Sequence, residues 1–299
     1  IISTILPETG DITSCAALSV SSSTIASSTD TLSPTFLYHS PTPASVTDSP
    51  ALGTGTSIIL PLEAAFFVSA FAGAAAALPP VKRDRQSKAR HGHDAYLKWI
   101  EPTPAPGKLQ FAEVLRWLRA SIPADSIICN GAGNYTSWVH RFYCFRRKGT
   151  QLAPTSGSMG YGTPSAVAAK RLYPERTVIA FAGDGCFLMN GQELATAVYY
   201  GINIIVIVVN NGIYGTIRMH QERNYPGRTI GSDLEGTDFA ALARAYGAHG
   251  EVVTETQGFA EAFERAQSCG KPALIELRVD PEAITPMATL SDIKGASMR

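Results

Sequence analysis

Residues Ile202 to Val209 form an almost unbroken run of β-branched, apolar side chains, and Thr177 to Phe181 form a shorter one upstream. A strand with one wet face alternates polar and apolar residues. A run without alternation needs cover on both faces, as in a parallel sheet with helices above and below it. Strand and helix patterns alternate around these runs. Phe111 to Ile122 has apolar residues at helical spacing (Phe111, Val114, Leu115, Leu118), and Ser126 to Cys129 reads as a short strand. Helices are expected over Pro164 to Tyr173, opened by a first-turn proline, and over Asn190 to Tyr200. Asp238 to Tyr246 is helical with Asp at its start; Glu251 to Thr254 is strand-like, Phe259 to Ser268 helical, and Ala273 to Val279 a last strand. The pattern predicts an α/β fold: a doubly wound parallel sheet of about six strands with helices on both faces. In such a sheet ligands sit beyond the carboxyl ends of the strands.

Both apolar runs end on glycine-rich turns. Gly183-Asp184-Gly185 follows the first, and Asn211, 26 residues after Gly185, closes the second within Asn210-Asn211-Gly212. An acid and a carboxamide at the tips of neighbouring parallel strands are hard oxygen ligands, suited to Mg2+ held against a diphosphate. The bland alternatives are an Asp that only caps a helix and an Asn-Asn-Gly turn in left-handed backbone. A second glycine-rich loop, Gly157-Ser158-Met159-Gly160-Tyr161-Gly162, lies upstream, and Asn130-Gly131-Ala132-Gly133-Asn134-Tyr135 follows the first strand. The latter is no dinucleotide fingerprint: its third glycine is missing, and no acid sits about 20 residues on to take a ribose hydroxyl.

The stretch from Ala182 through Asn190 and from Val209 through Gly215 resembles the thiamine diphosphate (TPP) binding motif of acetolactate synthase-like enzymes. The resemblance runs from about residue 109 to 285 and corresponds to their C-terminal TPP-binding domain. It implies that Asp184, Asn211 and the backbone carbonyl of Ile213 ligate Mg2+, with about six oxygens completed by the diphosphate and water. The N–H groups of Gly185 and Cys186 would face the diphosphate at a helix N-terminus. Gly133, Asn134, Gly183, Tyr214 and Gly215 complete this part of the cofactor site. The resemblance also assigns the aminopyrimidine to the loop of Gly157, Ser158 and Met159, where the Gly157 carbonyl accepts from the 4′-amino group. Met159 sits under the cofactor and bends it, which brings the 4′-nitrogen against the thiazolium C2–H. Cys186 stands where a small residue such as Ser is usual and reads as packing. His220 falls at the substrate mouth, where biosynthetic acetolactate synthases carry Trp, so the specific reaction stays open. Tyr135, Trp138, His140 and Arg141 read as helix and interface residues.

The implied chemistry is decarboxylation of a 2-oxo acid, followed by proton or aldehyde capture. The glutamate that protonates the aminopyrimidine belongs to a separate pyrimidine-binding domain or subunit. Glu8 and Glu63 have no matching motif, so no catalytic residue is expected in this chain, which alone would be inactive. The alternative is a non-catalytic Mg–TPP-binding module or inactive fragment. Full-length relatives imply a homo-oligomer.

Charge and composition narrow the rest. The net charge is zero and the pI near 7.2, which gives no support for non-specific nucleic-acid binding. Five cysteines without CxxC spacing argue against a disulfide framework or structural zinc and suit a reducing cytoplasm. No stretch reaches the roughly 18–20 apolar residues of a membrane span; the nearest, Ala64 to Leu78, reads as a buried helix. Residues 1–81 carry no Lys or Arg and five acids, and residues 11–50 hold 18 Ser or Thr and four Pro. Residues 1–60 therefore read as low-complexity and disordered. They do not look like the domain expected before this motif, and suggest out-of-frame translation or a truncated gene model. Residues 61–108 read as a helix and a linker, the remnant of a central domain. The TPP/Mg-binding domain is expected over 109–285 and a C-terminal tail over 286–299.

Overall fold

The computed structural model describes residues 43–46, 58–61, 85–234 and 236–298. The chain divides into two units, residues 1–85 and 86–299. In the first, β1 (Pro43–Val46) pairs antiparallel with β2 (Ile58–Pro61), Val46 opposite Ile58. The rest of the expected coil and the helix expected at 62–80 lie outside the described residues, as do Glu8 and Glu63.

The second unit holds the sheet. An exposed helix, α1 (Arg85–Trp99), leads in. The helical pattern expected at Ala95 to Ile100 is its last part. Then follow α2 (Phe111–Ser121), β3 (Ile127–Asn130), α3 (Tyr135–Phe142) and the two-residue β4 (Gln151–Leu152). Next come α4 (Gly162–Leu172), β5 (Val178–Gly183), α5 (Asp184–Asn190), α6 (Glu193–Tyr199) and β6 (Ile205–Asn210). The last elements are α7 (Gly215–Asn224), α8 (Phe239–Ala245), β7 (His249–Val253), α9 (Phe259–Ser268), β8 (Ala273–Arg278) and α10 (Leu290–Ser297).

Six strands form one parallel sheet in the order β4-β3-β5-β6-β8-β7. This is the doubly wound α/β fold that the apolar runs required. β5, β6 and β8 are buried along nearly their whole length, on both faces, because helices cover each side. The helix expected over Asn190 to Tyr200 is α6, three residues shorter at its start, and Gly191 and Gln192 separate it from α5, the helix that Asp184 opens. The C-terminal tail carries α10, opened by a capping box in which Thr289 and Asp292 exchange side-chain and backbone hydrogen bonds.

Aromatic rings fill the far side of the core. Phe259 and Phe263 on α9 are fully buried and meet Trp117 of α2 edge-on, each at 5.5 Å between centroids. No described helix is long and apolar enough to cross a membrane. Replacing Phe263 by Ala leaves a cavity at this seam and costs about 3–5 kcal/mol of stability, read as a lower urea midpoint. A loss under about 1 kcal/mol would show that this seam is not close-packed.

Candidate functional site

From β3 the chain steps outward to β4, then returns on the other side of β3 as β5. In an open α/β sheet the loops diverge at such a switch point and leave a crevice beyond the strand ends. A cavity of about 290 Å³ lies at that place. Its wall comes from the segments after β3 (Ala132, Gly133, Asn134), β5 (Gly183 to Cys186), β6 (Asn211, Ile213 to Ile217) and β8 (Val279, Ala283, Ile284), with Gly157 and Met159 from the upstream loop.

Register brings the two motifs together. Gly183 pairs opposite Val209, so Asp184 stands beside the last residues of β6. The Asp184 carboxylate, 4% exposed, accepts from Gly185 N–H at 2.7 Å through Oδ1. Its Oδ2 accepts from the backbone N–H groups of Asn211 at 3.2 Å and Gly212 at 2.9 Å. Burial pushes the carboxyl upward from its ordinary range, and the backbone N–H groups of Gly185, Gly212, Asn211 and Ile213 oppose that shift. No basic side chain forms an ion pair with Asp184 among the described residues. A buried carboxylate held only by N–H dipoles keeps unshared electron pairs for a cation. Asn211 Oδ1 accepts from Ile213 N–H at 3.3 Å, so the carboxamide folds over its own turn.

Two glycines are required here. A Cβ on Gly185 would lie 2.4 Å from the Tyr214 ring, which packs across the start of α5. Gly212 has φ +69°, which turns the chain back after Asn211. The turn is then clamped from outside: Tyr214 N–H donates to Ser232 O and Leu234 N–H to Gly212 O, each at 2.8 Å.

The upstream loop is tied to the same corner. Gly160 N–H donates to the buried Cys186 Sγ at 3.2 Å, and Tyr135 Oη lies 3.5 Å from that sulfur while donating to Phe181 O. Burial raises the Tyr135 phenol well above its ordinary range. Cys186 thus packs as a small residue and serves as an acceptor. Cys129, Cys144, Cys186 and Cys269 are all free thiols.

Of the residues expected to hold the cofactor, Gly133, Asn134, Gly157, Met159, Gly183, Asp184, Gly185, Cys186, Asn211, Ile213, Tyr214 and Gly215 all line the cavity. Ser158 does not; its hydroxyl is 2.8 Å from that of Ser156. Asn134 lines the wall but spends its carboxamide on α7, accepting from Thr216 Oγ1 at 2.8 Å. His220 is exposed on α7 and outside the lining. Among the described residues no three His, Cys, Asp or Glu side chains converge on a metal position.

Sequence reasoning missed Leu109, Phe111 and Ile284 in the wall. Ile284 lies beyond the end of β8, so the rule that placed Asp184 and Asn211 applies to it too. It also missed Glu276, fully buried in the middle of β8. Its signal was a lone acid within Ala273-Leu274-Ile275-Glu276-Leu277.

Residues 131–277 match the family model for thiamine pyrophosphate enzymes, C-terminal TPP binding domain. The acetolactate synthase large subunit of Parasynechococcus marenigrum (strain WH8102) is 35% identical over 178 residues, 59% of this chain and 29% of that protein. The sulfoacetaldehyde acetyltransferase of Alcaligenes xylosoxydans xylosoxydans is 32% identical over 192 residues, 62% of this chain and 32% of that protein. The structure of a thiamine diphosphate-dependent 4-hydroxybenzoylformate decarboxylase from Rhodococcus jostii RHA1 superposes with a TM-score of 0.56 at 33% identity, covering 60% of this chain and 34% of that one. The chain thus spans about a third of the length of these relatives. By sequence and by fold, the segment built around Asp184 and Asn211 matches the C-terminal TPP-binding domain of the acetolactate synthase-like enzymes.

Proposed function

We propose that this chain supplies the Mg2+- and TPP-binding half of an acetolactate synthase-like 2-oxo acid decarboxylase or carboligase. The observation that carries the reading is the meeting of Asp184 with the Asn211–Gly212 turn at the switch-point cavity. A desolvated carboxylate without a basic partner, beside a carboxamide and a backbone turn, suits a hard cation that wants oxygen ligands. Asp184, Asn211 and the Ile213 carbonyl would hold Mg2+. Gly133, Asn134, Gly183, Gly185, Cys186, Tyr214 and Gly215 would surround the diphosphate, and Gly157, Ser158 and Met159 the aminopyrimidine. When bound, the cofactor supplies the electron sink for decarboxylation. The protein's share is to anchor, orient and desolvate. Asp184 would lend negative charge to the metal, the walls of Leu109, Phe111 and Ile284 would exclude water, and the loop at Met159 would orient the aminopyrimidine. His220, exposed on α7, is retained only as a substrate-side residue.

A separate pyrimidine-binding domain or subunit is part of the proposal. Among the described residues Asp184 is the only acid in the cavity wall, and in this reading the metal takes it. The rim beside Met159 is apolar and open: Met159, Tyr161, Leu188 and Met189 are each about two-fifths exposed (37%, 38%, 43% and 45%). Such a rim suits a covering partner, and a homo-oligomer of the complete enzyme would provide one in the cytoplasm. The second reading, a Mg–TPP-binding module that turns nothing over, rests on the same lack of a second acid in the wall.

Calorimetry on the full chain tests the anchor. TPP binds in the presence of Mg2+ and loses its heat signal when EDTA is added. Asp184→Ala weakens Mg2+-dependent binding at least roughly 30-fold, about 2 kcal/mol. Unchanged affinity would remove Asp184 from the metal.

Turnover tests the half-site that both readings share. Supplied with TPP, Mg2+ and pyruvate, the chain alone releases no CO2. Measurable release would show that its own residues complete the site.

A further inference from the structure

The buried acid of β8 has a defined task. Glu276 is fully buried, and a carboxylate so placed is costly unless its oxygens are satisfied. Four donors satisfy it. Phe239 and Ala240 N–H groups, at the start of α8, donate to Oε2 at 3.1 and 3.3 Å. Arg278 Nε and Asn210 Nδ2 donate to Oε1 at 3.0 and 2.9 Å. Capping α8 and pairing Arg278 would occupy the carboxylate without any help from Asn210, yet Asn210 turns its amide inward to reach it.

That contact decides which way the Asn210 carboxamide faces. An ionised carboxylate only accepts, so the NH2 group of Asn210 must point at Glu276. Its Oδ1 then points the other way and accepts from Gly212 N–H at 2.9 Å. The same N–H also donates to Asp184 Oδ2 at 2.9 Å. One hydrogen is therefore shared by the network behind the sheet and the carboxylate in front of it. The Asn211–Gly212 peptide, whose side chain is the second expected metal ligand, is held from both sides.

We propose that Glu276 and Asn210 are positioning residues: the buried carboxylate fixes the orientation of the Asn210 carboxamide, which locks the Asn211–Gly212 peptide against Asp184. The network is made of this chain's own groups; only the ligand it serves rests on the reading of the cavity as a Mg–TPP site.

The network predicts a reciprocal exchange. In Glu276→Gln the new amide must keep its oxygen on Phe239 and Ala240 N–H, so its NH2 meets two donors, the NH2 of Asn210 and Arg278 Nε. In Asn210→Asp two carboxylates meet. In the double variant Asn210→Asp/Glu276→Gln the NH2 at 276 again finds an acceptor, the carboxylate at 210 still accepts from Gly212 N–H, and the half-exposed Arg278, which stands opposite residue 210, has that carboxylate and solvent to turn to. Charge is conserved. The test uses the full chain with two readouts, amide hydrogen exchange at Gly212 without ligand and the Mg2+ concentration needed for TPP binding.

Each single variant raises Gly212 exchange at least about tenfold and the Mg2+ requirement about 10- to 100-fold, and the double variant recovers most of both. Asn210→Ala, which leaves the cap of α8 in place, reproduces the single-variant result should Glu276→Gln fold poorly. Phe263→Ala, a core defect away from the network, leaves Gly212 exchange low under native conditions. Unchanged exchange in Asn210→Ala, or a double variant no better than the worse single, overturns the proposal. If exchange follows the swap but no form, wild type included, binds TPP, the positioning stands and the cofactor reading fails.

Discussion

The site depends on one buried carboxylate that bridges two strand ends. Asp184 accepts hydrogen bonds from the helix it opens and from the turn that closes the next strand. Parallel neighbours lie about 4.8 Å apart, so a single short side chain can reach across. The cost of taking that charge out of water is met by N–H dipoles rather than by a cationic side chain. A salt bridge at this place would satisfy the acid and leave nothing for a metal. The absence of a lysine or arginine partner among the described ion pairs is therefore as informative as the bonds that are present.

Everything around Asp184 acts to keep that bridge rigid. The parallel register sets Gly183 opposite Val209. Tyr214 lies over Gly185, where no side chain would fit. Cys186 binds the upstream loop to the start of α5, and Asn210 and Glu276 brace the turn from behind. An arrangement made mainly of backbone groups costs little to reorganise when a charged ligand arrives.

Much of this was legible in the residues, and the reasons differ by element. β5, β6 and β8 announced themselves because continuous apolar runs have few homes other than a covered parallel strand. α9 appeared with the bounds expected, Phe259 to Ser268, because its apolar spacing is clean. The start of β6 was placed three residues early: Ile202 and Ile204 are buried like strand residues, yet the ladder begins at Ile205. Burial, not pairing, is what hydropathy reports. α7 escaped notice because it is polar nearly all round, with only Glu222 buried. In the site, the meeting of a glycine-bracketed acid and a carboxamide at neighbouring strand ends was readable because spacing and topology alone bring them together. Glu276 and Asn210 were not, because their roles depend on which strand lies beside which. β8 inserts between β6 and β7 in the sheet, and no local pattern gives that order.

The central claim is that Asp184 and Asn211 share one metal ion with a diphosphate. Crystals of the full chain grown with TPP and Mn2+ in place of Mg2+ would locate that ion by its anomalous scattering. The account requires a single peak at ligating distance, roughly 2 Å, from both the Asp184 carboxylate and the Asn211 carboxamide oxygen. A peak elsewhere, or TPP bound in the cavity with Asn211 turned away from the metal, would contradict it.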